Sequence, residues 1–432
     1  MKKILIQNGT LVLPGKGMLV DRDILLEDGI VRRVGRGLTD PQAFRVNASG
    51  LLVGPGFINL HVHFREPGEE YKEDLRSGSR AAAMGGFTSV LCMPNTQPPV
   101  DEPMIVRYLR SMAREVSLVN IYFAGAITRG LEGASMAEYG LMREAGVPAL
   151  SDDGKCVMDS LLLSRVMEYS TYFSLPLILH EEDPNLEGNG QLNRGETAFR
   201  MGIKGIPTSA EESVIARDLV FALHSGARVH ITHLSTALGV ELIEFFRLRG
   251  TKVSADVTPH HLLLTDQAVA EHGSLVKVKP PLREEKDVQA LKEGIKRGVV
   301  EMLASDHAPH STENKEGDFN EAAYGISNLE ISVPLYAKSL VEEGIIGWVD
   351  LWRNLSLRPA QLLGLSRKGD LEEGMDADVT LVDPDTEWEV RIEDFESKGR
   401  NCPFNRMPLI GWPVTTIVGG ELVVHERSVL LP

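Results

Sequence analysis

Residues 54–68, GPGFINLHVHFREPG, carry the reading on which the fold turns. The apolar run from Phe57 to Leu60 predicts a buried strand. His61 and His63 follow on alternate positions, so both imidazoles leave one face of it. Neutral imidazole suits Zn²⁺ and its transition-metal neighbours, and a period of two lets both rings reach one ion without bending the backbone. Taken alone, an HxH pair is equally consistent with one hydrogen-bonded core histidine and one solvated histidine.

Outward from that stretch, strand-like runs alternate with amphipathic helical patterns: FINLHVH (57–63), TSVLCM (88–93), NIYFAGAIT (120–128), PALSDD (148–153), PLILHEE (176–182), RVHITHLS (228–235), KVSADVTPHH (252–261) and VEMLASDHAP (300–309). Eight β/α units predict a (β/α)₈ TIM-type barrel. An open doubly wound sheet is the competing architecture, but no GxGxxG follows the first strand. The polar residues also favour the barrel. His61 and His63, Asp152 and Asp153, His180, His233, and Asp306 with His307 and His310 fall at the ends of five different runs, all of which open onto one mouth in a barrel. An Asp at any one of these places could merely cap a helix, and a His could bond a carbonyl; together they point to a metal site.

The first 53 residues read as short strands and turns (KKILIQNG, LVLPG, DILLEDGIVRRVG), and the far end looks alike (DADVTLVDP, TEWEVR, TTIVGGELVVHE). The two ends are expected to pair into one small β-domain, giving residues 1–53 and 371–432 to that domain and 54–370 to the barrel. The chain has 432 residues, with 45 Lys+Arg against 61 Asp+Glu and a net charge of −16, which argues against nucleic acid or an anionic membrane as the main partner. Cys92, Cys156 and Cys402 lie far apart with no CxxC, as expected of a reducing compartment, and the cytoplasm is the expected location. No run has the length of a signal-peptide core or a membrane span.

The motifs GFINLHVHFREPG, YKEDLRSGS, GGFTSVLCMPNT, SDDGK, LILHEED, ITHLST, PPLR and ASDHAPH cover essentially the whole chain, and in them the sequence resembles the bacterial class I dihydroorotases of the amidohydrolase superfamily. That resemblance implies reversible cyclisation of N-carbamoyl-L-aspartate to (S)-dihydroorotate in pyrimidine (UMP) biosynthesis. It implies one Zn²⁺ held by His61, His63 and Asp306 and a second held by His180 and His233, with Asp153 bridging where many relatives use a carboxylated lysine. Lys155 is the rival candidate for that lysine. Metal coordination can lower the pKa of water from about 15.7 to roughly 7, giving a hydroxide that attacks the amide carbonyl, with Asp306 as proton carrier.

Substrate contacts follow from the same resemblance: Arg65 and Asn95 on the ring carboxylate, His310 as a third contact, and Tyr324-Gly325 offering backbone groups to the ring. A guanidinium fork suits a planar carboxylate, although a salt bridge from Arg65 to Glu66 or Glu69 is the plainer alternative. Lys279 stands before the Pro-Pro pair where many relatives have asparagine, and Lys279→Asn is expected to preserve or raise turnover of dihydroorotate. The polar stretch Ser311 to Gly325 is expected either as a lid or as an ordinary surface loop. Two alternatives remain open on the sequence: another cyclic amidohydrolase such as a hydantoinase or allantoinase, or a non-catalytic scaffold for aspartate transcarbamoylase. A homo-oligomer and an aspartate transcarbamoylase partner are the assemblies that the family implies.

Overall fold

The computed structural model describes residues 3–430. Met1, Lys2, Leu431 and Pro432, assigned above to the terminal β-domain, lie outside the described residues. The central element is a ring of parallel strands: β1 (Phe57–Val62), β2 (Phe87–Cys92), β3 (Asn120–Phe123, continued by Gly125–Ala126), β4 (Leu150–Ser151), β5 (Leu177–Leu179), β6 (Arg228–Ile231), β7 (Lys252–Val257) and β8 (Met302–Leu303). Each strand pairs in parallel with the next. The ring shuts where Val62 bridges His307 in parallel and the His63 N–H donates to the His307 carbonyl at 2.9 Å. Closure removes both sheet edges and points every carboxyl end to one mouth.

Helices α1 (Leu75–Met84), α2 (Pro103–Val116), α3 (Tyr139–Ala145), α4 (Ser160–Tyr172), α5 (Ser209–Ser225), α6 (Ala237–Arg247) and α7 (Glu285–Lys296) return the chain after β1 to β7. Their starts follow from capping chemistry. The Asp74 carboxylate accepts from the Ser77 N–H at 2.8 Å, Asp159 from Leu162 at 2.9 Å and Thr236 from Gly239 at 3.2 Å. Helix α1 also approaches the site closely: a Cβ on Gly78 would lie 2.5 Å from the Phe64 ring, so only glycine lets Phe64 seat beside His63.

The chain ends form two sheets. One has the order Ile30–Gly35, Asp23–Glu27, Lys3–Gln7, Phe44–Asn47; the other runs Ser428–Val429, Glu421–His425, Trp412–Val418, Val379–Asp383, Leu52–Pro55, Thr10–Leu13, Met18–Asp21. The join between the two ends is Val379–Asp383 lying antiparallel to Leu52–Pro55, over a core that includes Ile6, Leu11, Ile24, Val53, Leu381 and Ile417. The TEWEVR run does not enter either sheet. Among the described residues Trp388–Glu389 pairs only with Pro408–Leu409, because Pro384 and a turn in which Asp383 accepts from the N–H groups of Asp385 and Thr386 end the preceding strand.

Candidate metal centre and active site

The six metal-capable residues expected from the sequence meet at the barrel mouth. His61 Nε2 lies 3.2 Å from Asp153 Oδ1 and 3.6 Å from Asp306 Oδ1, and His63 Nε2 lies 3.2 Å from Asp306 Oδ1 and 3.5 Å from Asp153 Oδ2. His180 Nδ1 is 2.9 Å from His233 Nε2, and both lie against Asp153 Oδ1, at 3.7 and 3.6 Å. All six are buried. The ligand atoms of His61, His63 and Asp306 fall within 4.8 Å of one another, as do those of His61, Asp153 and His233.

Backbone conformation delivers them. Strands β4, β5 and β8 are shorter than the sequence runs suggest, because the chain leaves the ladder to aim Asp153, His180 and Asp306 inward. Arg65 (φ 60°), His233 (φ 40°) and Asp306 (φ 45°) all occupy the left-handed region, which costs a non-glycine residue about 1–3 kcal/mol. Three such residues around one cavity are strain that the barrel holds in place at its mouth.

The residues fit a pair of divalent cations. His61 Nε2 and Asp153 Oδ1 are buried without a hydrogen-bond partner among the described residues, and the donor set is imidazole and carboxylate, the set that zinc and its neighbours take. The outer ring nitrogens are occupied: His61 Nδ1 lies 2.8 Å from Thr232 Oγ1, and His63 Nδ1 lies 3.0 Å from Asn95 Oδ1. An amide oxygen only accepts, so His63 carries its proton on Nδ1 and turns a lone pair inward. Burial lowers the His61 imidazole, but the Asp153 and Asp306 carboxylates outweigh it and push the group up to about 9. Burial works to raise Asp153 and Asp306, and the histidines overcome it, holding both well below the usual carboxylate range. Negative charge thus dominates the cluster, as a cation site requires.

Not every polar strand end joins in. Asp152 turns back to β3, accepting from the N–H groups of Ile127 (2.8 Å) and Thr128 (3.0 Å), and burial lifts its carboxyl to about 6. His307 meets Glu73 at 3.4 Å, away from the cluster. Lys155 is exposed on the turn after Asp153.

A cavity of about 290 Å³ opens over the cluster, walled by Arg65, Asn95, Lys279, Ala308, Tyr324 and Gly325. Asn95 is more committed than expected. Its oxygen faces His63, and its Nδ2 donates to the Asp153 carbonyl (3.3 Å) and to Asp153 Oδ2 (3.4 Å). The Arg65 Nε donates to the Pro309 carbonyl at 3.3 Å, and no carboxylate lies within 4.0 Å of its guanidinium among the described residues. His310 sits behind Arg65 with Nε2 at 2.8 Å from the Tyr324 carbonyl. That acceptor takes the ring proton, so the Arg65 Nη2 at 3.2 Å has no lone pair to bond and stays available to an anion. The Gly325 N–H donates to the Lys277 carbonyl.

Two features escaped the sequence. Glu182 Oε2 stands 3.5 Å from His180 Nε2, signalled only by its alternation with His180 in LILHEED. The stretch Ser311 to Gly325 is pinned from below by two buried lysines. Lys315 Nζ donates to the carbonyls of Ala323 (2.7 Å) and Gly325 (3.1 Å), and Lys277 Nζ to those of Phe319 (2.7 Å) and Asn320 (3.0 Å).

The fold matches the L-hydantoinase of Arthrobacter aurescens with a TM-score of 0.90 at 26% identity, covering 100% of this chain and 98% of that one. It also matches the dihydropyrimidinase of Brevibacillus agri with a TM-score of 0.86 at 22% identity, covering 99% and 96%. Barrel, terminal β-domain and buried His/Asp cluster together define a hydrolase of the amidohydrolase superfamily. Within that class, the family model described as Dihydro-orotase-like matches residues 50–238. The dihydroorotase of Pelobacter propionicus is 44% identical over 425 residues, 98% of this chain and 100% of that protein, and that of Pelotomaculum thermopropionicum is 44% identical over 427 residues, 99% and 100%. The chain belongs to the dihydroorotase family. No helix among the described residues is long and apolar enough to cross a membrane.

Proposed function

We propose that this chain interconverts N-carbamoyl-L-aspartate and (S)-dihydroorotate with divalent metal, zinc in the first instance, held by His61, His63 and Asp306 on one side and by His180 and His233 on the other, with Asp153 between them. A cation bound there supplies Lewis acidity and a water ionised near neutral pH. Asp306 is the proton carrier of this reading. Its Oδ1 faces His61 and His63 and its side chain lines the cavity, and in this reading the carboxylate takes a proton from the nucleophile and returns it to the leaving ring nitrogen. In the cyclising direction Asp306 deprotonates the attacking nitrogen. In this reading Arg65 binds the carboxylate of the substrate, and the Tyr324 N–H, which has no partner among the described residues, donates to a ring carbonyl. Asn95 holds His63 and Asp153 in register while forming part of the wall.

The observation that carries the reading is the Arg65 guanidinium, without a carboxylate partner among the described residues, beside the six-residue cluster. Hydantoin and allantoin lack the ring carboxylate that it would pair. The experiment is metal analysis of the purified chain with turnover of dihydroorotate, hydantoin and allantoin on one sample: bound divalent metal and preference for dihydroorotate support the reading, and preference for hydantoin overturns it. The cytoplasm is the location in this reading, supported by three cysteines that are free among the described residues. A second copy of the chain and an aspartate transcarbamoylase are the partners in this reading, tested by light scattering of the chain alone and mixed with that enzyme.

A further inference from the structure

Beneath the cluster, a line of buried polar groups runs from His61 across β6 to β7. His61 Nδ1 lies 2.8 Å from Thr232 Oγ1, which lies 3.0 Å from Asp256 Oδ2; that oxygen also lies 2.8 Å from His230 Nε2, and His230 Nδ1 lies 2.8 Å from Ser254 Oγ. The other oxygen, Asp256 Oδ1, accepts the backbone N–H of His233 at 2.7 Å. Asp256 and His230 are 0% exposed and Thr232 and His233 2%, so these groups have no water to fall back on.

Counting protons fixes the directions from Asp256 to His61. His230 Nε2 and the Thr232 hydroxyl converge on Asp256 Oδ2 and the His233 N–H on Oδ1, so the carboxylate oxygens accept. Thr232 has one hydroxyl proton, and it goes to Asp256. Its oxygen therefore accepts from His61, which must carry a proton on Nδ1, so that Nε2, facing the cluster, is the nitrogen left to bind a cation. The same carboxylate, through Oδ1, holds the amide of His233, whose φ of 40° would otherwise relax.

We propose that Thr232 and Asp256 are positioning residues: one buried carboxylate sets the tautomer of His61 through the Thr232 hydroxyl and the left-handed backbone of His233 directly, so that two metal-binding histidines from different strands are pre-set together. This rests on the metal reading above. Removal of an outer partner of a ligating histidine typically lowers metal affinity 10–100-fold.

The test uses the full chain with Zn²⁺ and Co²⁺, reading affinity by chelator competition and the visible Co²⁺ spectrum, with circular dichroism to show folding. Thr232→Val keeps the shape and removes the hydroxyl, and a fall in affinity of about 10–100-fold with a changed Co²⁺ spectrum is expected. Thr232→Ser restores the donor and is expected to stay within about threefold of the parent. Should Thr232→Val fail to fold, Asp256→Asn, which exchanges an acceptor for a donor, is read against the same expectation. A folded Thr232→Val with parental affinity and spectrum overturns the proposal, as does a Thr232→Ser that loses as much as the valine. A parent chain that binds neither ion removes the metal reading itself, whereas a parent that binds with unaffected variants removes only the relay.

Discussion

Lys279 Nζ lies 2.5 Å from Glu187 Oε1 and 3.0 Å from Glu182 Oε2, so the cation on the cavity wall is already answered by two carboxylates. Glu182 in turn touches His180, and the Tyr324 hydroxyl donates to Gln191 Oε1 at 2.9 Å on the same side. Lys279 thus clamps the segment after β5 against the cavity wall instead of presenting a free charge to substrate. The lysine and the two glutamates form one unit, which explains how a lysine is accommodated at this position.

This pairing changes what Lys279→Asn should do. An asparagine cannot neutralise Glu182, which is 7% exposed, and a buried carboxylate stripped of its cation costs about 1–3 kcal/mol. We expect urea unfolding to show that loss, with turnover of dihydroorotate falling rather than holding or rising. The double change Lys279→Asn with Glu182→Gln should recover part of it, because the stranded charge is gone. A single variant as stable and as active as the parent would return Lys279 to the role of a replaceable wall residue.

Arg65 gives a prediction about specificity. Hydrogen bonds to a charged group are worth about 1.5–3 kcal/mol, so Arg65→Met should raise KM for dihydroorotate by roughly 10–100-fold. Any residual hydrolysis of hydantoin, which lacks the carboxylate, should change little. Equal losses on both substrates would mean that the guanidinium supports the loop through Pro309 and binds nothing.

Asp306→Asn keeps the shape of the side chain and removes its ability to carry a proton. Loss of a positioned acid–base group lowers kcat by about 10²–10⁴-fold. Because Asp306 also faces His61 and His63, metal content should be measured in the same preparation. A fall in kcat at undiminished metal occupancy assigns the loss to proton transfer, and a fall that tracks metal content assigns it to binding.

The barrel and the His and Asp residues at its strand ends were legible because both rest on periodicity, and the choice of six among them came from the family resemblance. A hydrophobic run ending in His-x-His, or in Asp306 at the head of DHAPH, needs only the rule that strand ends share a mouth. What could not be read was pairing. Asp152 and Asp153 are neighbours of one chemical type, yet one braces β3 and the other enters the cluster, and only the path of the chain after Ser151 separates them. Thr232 and Asp256 are ordinary residues whose contact spans two strands. Lys277 and Lys315 were not singled out, because nothing local announces that backbone carbonyls will surround them. TEWEVR alternates like a strand, but Pro384 ahead of it is a local signal that outranks the alternation.

Lys315 supplies the pH prediction. It is 4% exposed, its Nζ meets only carbonyl oxygens, and burial, with the Lys277 charge beside it, brings its pKa down to about 7 from 10.5. In the unfolded chain the group stays protonated up to its ordinary value. Between about pH 7 and 10.5 the unfolded state therefore binds more protons than the folded one, and stability contributed at this site rises with pH. Lys315→Met cannot titrate, so its stability curve lacks the rise. The difference in unfolding free energy between parent and variant, from urea titrations at pH 7.5 and pH 9.5, should move by about 2–3 kcal/mol in the parent's favour at the higher pH. Taking the difference cancels the other titrating groups, which both proteins share. Parallel curves would mean that the ammonium is as well solvated in the fold as in water, and that the carbonyls of Ala323 and Gly325 do not enclose it.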